Sequence, residues 1–139
     1  MTNLQKIEFG ILKEFIRICE ILNLKYYIVC GSALGAVKYG GFIPWDDDID
    51  VALPREDYEV FLCEAPKYLP EHLFLQTYKT DPKIPVIYAK LRNSNTTYIE
   101  NSCKSIDMNH GIYIDIFPLD GYPVALKEQK KLERAKLFY

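Results

Sequence analysis

Two aspartates separated by one apolar residue, Asp48-Ile49-Asp50, stand at the head of a short apolar run, Val51-Ala52-Leu53, that Pro54 ends. A strand alternates faces with a period of two, so both carboxylates project to the same side. Like charges this close beside apolar residues repel, and the arrangement calls for a compensating cation. With oxygen ligands and no neighbouring His or Cys in the run, a hard ion, Mg2+ or Mn2+, suits the pair better than zinc. Asp46 shares the parity and joins Asp48 and Asp50 as a candidate metal ligand, while Asp47, of opposite parity, is left out. A solvated acidic loop is the competing reading of such a run. It is disfavoured because these acids interrupt an apolar strand instead of decorating a polar turn.

Two further places carry chemistry. Gly31-Ser32 follows the run Tyr26-Tyr27-Ile28-Val29-Cys30 and precedes a helical segment. A glycine turn at a helix N-terminus offers close backbone approach and free N–H groups, which suits a phosphate oxygen, although many such turns are only turns. Asp115 is the lone acid in the apolar run 111–118. A buried carboxylate needs a partner, so it is either one half of a salt bridge to Lys90 or Arg92, or a third carboxylate of the metal site, or both.

The elements that must position these residues follow from hydrophobic periodicity. Leu4, Ile7, Ile11, Phe15, Ile18 and Leu22 step by three or four, which predicts an amphipathic helix with a capping box from Thr2 and Gln5, interrupted at Asn23. Residues 26–30 read as a buried strand, 32–39 as a short helix closed by Gly40-Gly41, and 50–53 as a strand. A helix over 55–65 presents Tyr58, Phe61, Leu62 and Ala65 inward and ends at Pro66. Strands are expected at 73–78, 86–92, 96–100 and, most clearly, 111–118. The segment 125–139 is helical in propensity with a poor apolar stripe.

The chain has 139 residues, 49% of them hydrophobic, with a formal net charge of −2. That size and composition fit one folded domain and exclude a disordered chain. The absence of a basic field argues against a nucleic-acid binder. Cys19, Cys30 and Cys63 lie in apolar runs and read, with Cys103, as reduced thiols of the core. No leader-like N-terminus and no run of about 18 apolar residues is present, which points to the cytoplasm and away from a transmembrane segment.

Taken together, Gly31-Ser32, Asp48-Ile49-Asp50-Val51 and Ile114-Asp115-Ile116 resemble the signature of the nucleotidyltransferase superfamily. The longer stretches 31–37, 41–50 and 54–58, with 89–97 and 110–121, resemble the LicD family of phosphocholine transferases. The resemblance implies an α+β fold, a nucleotidyltransferase-like mixed β-sheet flanked by helices. It implies metal binding by Asp48 and Asp50 with help from Asp46, a third active-site carboxylate in Asp115, and donor phosphates on Gly31 and Ser32. Arg55, Lys90 and Arg92 would neutralise a pyrophosphate, against the alternative that each is an ion pair or a surface cation. Trp45 with Tyr39, Phe42 or Tyr113 would face a quaternary ammonium, with core packing the commoner role for such rings. His110 is placed to carry a proton, though a lone histidine is more often structural.

The activity so implied is transfer of phosphocholine from CDP-choline, or of a related alcohol phosphate, to a hydroxyl of a cell-surface glycan of lipopolysaccharide or teichoic acid type, lipid-linked acceptors included. Its setting would be the cytoplasm or the inner face of the membrane. The alternatives are a true nucleotidyltransferase with the same metal site and a non-catalytic binding module. The family is usually longer, so residues 1–139 are expected to be one nucleotidyltransferase-like domain, C-terminally truncated. Leu132, Leu137, Phe138 and Tyr139 are then expected to drive self-association into a homo-oligomer through the last helix.

Overall fold

The computed structural model describes residues 1–136. Helix α1 (Asn3–Ile21) begins on the predicted capping box, with the Thr2 side chain accepting from the Gln5 N–H and the Gln5 side chain accepting from the Thr2 N–H. It ends in a Schellman motif. Asn23 adopts a left-handed φ of 54°, its N–H bonds the Glu20 carbonyl, and the Leu24 N–H bonds the Cys19 carbonyl.

The chain continues through β1 (Tyr27–Ile28), α2 (Cys30–Tyr39), β2 (Asp50–Pro54), α3 (Arg55–Glu64), a 3-10 turn (Ala65–Lys67), β3 (Leu73–Gln76), β4 (Ala89–Asn93), β5 (Ile112–Leu119) and α4 (Leu126–Lys136). The strands form one five-stranded sheet in the order β1-β2-β5-β4-β3, with β2 and β5 parallel and the other neighbours antiparallel. This is an α+β fold with a mixed sheet, as expected.

Strand alternation divides the sheet into two faces. Val51, Leu53, Leu75, Ala89, Leu91, Ile112, Ile114 and Ile116 point into the apolar core with Ile11, Phe15 and Ile18 of α1 and Phe61 of α3. Phe15 anchors the core, its ring 5.1 Å from that of Phe61 and 5.7 Å from that of Tyr26. The opposite parity of the same strands carries the chemistry. Register places Asp50 beside Asp115, Asp115 beside Lys90, and Lys90 beside Gln76, a polar row across four strands.

Several elements differ from the sequence-based expectation. The run 26–30 yields only the two-residue strand β1, exposed at the sheet edge because it pairs with β2 alone. Residues 96–100 form no strand. The Thr96 hydroxyl donates to the Asn93 carbonyl and accepts from the Ile112 N–H, which closes a turn where a ladder was expected. Cys19 and Cys103 are buried thiols, but Cys30, at the start of α2, and Cys63, on the outer side of α3, are exposed and do not belong to the core. Leu132 lies on α4, whereas Leu137, Phe138 and Tyr139 fall outside the described residues.

Candidate functional site

The site lies at the head of the β2–β5 parallel pair. The Asp115 N–H bonds the Ile49 carbonyl, so pairing begins one residue before β2 and brings the preceding chain alongside β5. Asp48, Asp50 and Asp115 each offer a carboxylate oxygen, and these oxygens lie within 4.8 Å of one another. Asp48 precedes the strand and Asp50 opens it, so the shared side follows from the extended chain before β2 as well as from the strand itself.

The electrostatics are those of an uncompensated cluster. Burial, then Asp50 and Asp46, pushes the Asp48 carboxyl up to about 6. Burial and Asp115 raise that of Asp50, against the Gly31 N–H and Lys90, which lower it. Burial likewise raises Asp115, opposed by Lys90. Lys90 is the cation within this row, its Nζ 2.8 Å from Asp115 Oδ1 and 3.5 Å from the centroid of the Tyr113 ring. That contact is an ion pair off hydrogen-bond geometry and leaves Asp115 Oδ1 without an aligned donor. Three oxygen ligands with one shared ammonium fit a hard divalent cation.

The Gly31-Ser32 turn braces Asp50. Ser32 Oγ accepts from the Asp50 N–H at 2.9 Å, and the Gly31 N–H donates to the Asp50 carboxylate. A Cβ at Gly31 would stand 3.0 Å from Asp46 Oδ2, so any larger residue in this turn would have to displace that carboxylate by a few tenths of an ångström. Cys30, one residue earlier, has a left-handed φ of 50°, a sparsely populated conformation for a non-glycine residue and one that turns the chain from β1 into α2.

Three residues belong here that the sequence reading passed over. Gln5, buried on α1, donates from Nε2 to the carbonyls of Asp46 at 2.9 Å and Ile43 at 3.4 Å, clamping the acidic segment in addition to capping its own helix. Glu8, one turn on, is buried, its Oε2 has no partner, and burial with Asp48, Asp47 and Asp46 pushes its carboxyl up to about 8. The signal was present in the sequence, since Glu8 falls on the buried stripe of α1 with Gln5, Ile11 and Phe15. Asp47 was excluded on strand parity, but residues 46–49 are not strand. Its carboxylate lies within 4.8 Å of those of Asp46 and Asp48 and accepts from the Tyr98 hydroxyl at 2.8 Å.

Residues 23–132 match the family model described as LicD/FKTN/FKRP, nucleotidyltransferase domain. The lipopolysaccharide cholinephosphotransferase LicD of Haemophilus influenzae is 31% identical over 141 residues, covering 96% of this chain and 51% of that protein. This chain belongs to the LicD family. Shorter matches join it to the ribitol 5-phosphate transferase FKRP of Homo sapiens, 40% identical over 40 residues (29% of this chain, 8% of that protein). An uncharacterized protein of Rickettsia typhi is 44% identical over 46 residues (33% of this chain, 15% of that protein). The chain spans about half the length of the LicD relative.

The remaining residues singled out in this LicD family sequence are placed less uniformly. Arg55 sits beyond the far end of β2 from the aspartates and forms a bidentate pair with Asp120, adding Glu59 at 3.1 Å. It is not brought to the cluster. Arg92 is buried and bonds Gln76 Oε1 at 2.5 Å and the Gly111 carbonyl at 2.7 Å, with its guanidinium 4.6 Å from the Tyr113 ring centroid. These bonds tie β4 to its neighbours and leave Nη2 buried without a partner. Tyr113 is buried against Lys90 and Arg92, while Trp45 and Tyr39 meet edge to face in solvent, so the four aromatics do not converge as a cage. His110 Nε2 lies 2.8 Å from the Ile106 carbonyl, a local bond that fixes a loop. Beside the acids a pocket of about 390 Å³ opens between α1 and α2, lined by Phe9, Leu12, Ala36, Phe42, Ser32 and Asp46. No helix among the described residues is long and apolar enough to cross a membrane.

Proposed function

We propose that this chain carries the metal-binding part of a transferase that moves an alcohol phosphate from a CDP-alcohol to a hydroxyl of a cell-surface glycan. CDP-choline is the first candidate donor. The observation that carries the proposal is the meeting of Asp48, Asp50 and Asp115 at the head of the parallel pair in a chain of the LicD family. Two relatives support the class of group moved: one is a cholinephosphotransferase and the other a ribitol 5-phosphate transferase.

Asp48, Asp50 and Asp115, with Asp46 and Asp47 behind them, would hold Mg2+ or Mn2+, which when bound neutralises charge on the donor pyrophosphate. Ser32 holds the Asp50 backbone through its oxygen lone pairs, which leaves its hydroxyl hydrogen to donate to a donor phosphate oxygen. Lys90 fixes the Asp115 carboxylate. Asp115, fixed in this way beside the acid pair, would take the proton of the attacking hydroxyl on its free carboxylate oxygen. The acceptor oxygen then bonds to the phosphorus of the alcohol phosphate as the P–O bond to the leaving phosphate breaks and CMP departs. The reaction so proposed would run in the cytoplasm or at the inner face of the membrane.

The deciding experiment offers CDP-choline, CDP-ribitol and the four NTPs separately, with Mg2+ and with EDTA, and follows nucleotide products. Metal-dependent release of CMP from a CDP-alcohol, abolished in Asp115→Asn with the fold intact, is the expected result. Pyrophosphate release from an NTP would make the chain a true nucleotidyltransferase. No product from this chain together with turnover by a longer form containing it would place part of the donor or acceptor site outside residues 1–139.

A further inference from the structure

The single tryptophan of the chain, Trp45, is 78% exposed. Large aromatic side chains gain most by burial, so one held out in water next to a reaction site is informative. Its backbone is pinned. Trp45 sits in a turn closed by the Asp46 N–H on the Ile43 carbonyl at 3.0 Å, with Pro44 ahead of it. Buried Gln5 grips both ends of that turn from beneath. Tyr39, the last residue of α2 and 42% exposed, meets the indole edge to face, with centroids 6.2 Å apart at 77°. The next residue after Trp45 is Asp46, already among the site acids.

We propose that Trp45, backed by Tyr39, is the platform on which the acceptor's sugar ring stacks, an inference that rests on the transfer reading above for the acceptor's place but not for its binding. A pyranose has a C–H face that is apolar and a rim of hydroxyl donors. The structure supplies the complement of both: an open aromatic face and, beside it, the acceptor oxygens of exposed Asp47, one of which bonds Tyr98. A quaternary ammonium fits less well. The two rings stand edge to face and do not converge on one point, and Lys38 Nζ, 5.5 Å from the Tyr39 centroid, already puts a positive charge there.

A single tryptophan gives a single indole N–H resonance, which reports on Trp45 without turnover, metal or donor. The protein labelled with ¹⁵N is titrated with methyl glycosides of glucose, galactose, N-acetylglucosamine and N-acetylgalactosamine, and in parallel with choline chloride and CMP. The expected result is a saturable shift of the indole peak in the millimolar range with at least one pyranoside. Saturation-transfer signals on the sugar C–H protons should be lost in Trp45→Ala and kept in Trp45→Phe. A saturable response to choline or CMP in place of the sugars assigns the platform to the donor and overturns the proposal. So does the absence of any response. Sugar binding without CMP release from any CDP-alcohol, by this chain or by a longer form containing it, would sink the transfer reading and leave the platform standing, and CMP release without sugar binding would do the reverse.

Discussion

The two ends of the β2–β5 pair use the same kinds of residue to opposite effect. At the far end Arg55 and Asp120 close a bidentate pair in solvent, with Glu59 as a third partner, and the charges there are satisfied. At the head, half-buried Asp48 and buried Asp50 and Asp115 crowd together with Lys90 paired to Asp115 from the next strand, and Glu8 adds a further buried carboxylate whose Oε2 has no partner. A pair that closes on itself is structural, whereas a group of carboxylates that the fold brings together and leaves short of positive charge is poised for a cation. The contrast also explains why charge type alone misled at Arg55: an arginine near the metal strand in sequence is spatially at its other end.

The largest effect should come from removing Lys90, the cation paired with Asp115. Lys90→Met leaves Asp115 buried without its counter-charge and should cost about 3–5 kcal/mol of stability in urea unfolding, with part of the loss recovered on adding Mg2+. A loss below about 1 kcal/mol would mean that the Lys90–Asp115 pair does not hold the row.

Next in size is the pH dependence from Glu8. Its carboxyl is held up to about 8 against an ordinary 4.5, so the native state keeps a proton that the unfolded chain releases. Native stability should therefore fall as pH rises from 4.5 towards 8, by at most about 1.4 kcal/mol per pH unit from this group. Asp48, held up to about 6, adds to the same slope at its lower end. In Glu8→Gln the slope should flatten, leaving the variant about 1–2 kcal/mol more stable than wild type at pH 8. Parallel stability–pH curves for the two proteins would show that Glu8 is not the group responsible.

Arg55→Ala should do least. The pair is exposed, and its loss should cost under about 1 kcal/mol and leave cation binding unchanged. A drop in cation affinity in this variant would return Arg55 to the site and erase the difference between the two ends.

Much of the fold was legible because local chemistry and periodicity agreed. The capping box at Thr2 and Gln5, the stop at Asn23 and the alternation around Asp50 and Asp115 depend on residues a few positions apart. What was not legible depended on partners distant in sequence. An apolar run such as 26–30 signals a strand, but its exposure follows from its edge place in the sheet order. Arg92 read as a phosphate ligand by charge alone, whereas Gln76 and the Gly111 carbonyl, both distant in sequence, take Nε and Nη1 and leave Nη2 buried without a partner. Glu8 was missed because the helix was read for its apolar positions, when one acid on the buried stripe was the informative exception. Asp47 was lost to a parity rule applied before the strand had begun.

The central claim is that the head of the β2–β5 pair holds a divalent cation, and counting bound Mn2+ by its electron paramagnetic resonance tests it directly. Wild type and Arg55→Ala should remove free Mn2+ signal with equal saturation, and Asp50→Asn, nearly isosteric and aimed at the centre of the row, should not remove it at the same concentrations. Equal Mn2+ uptake by wild type and Asp50→Asn, or none by either, would contradict the account.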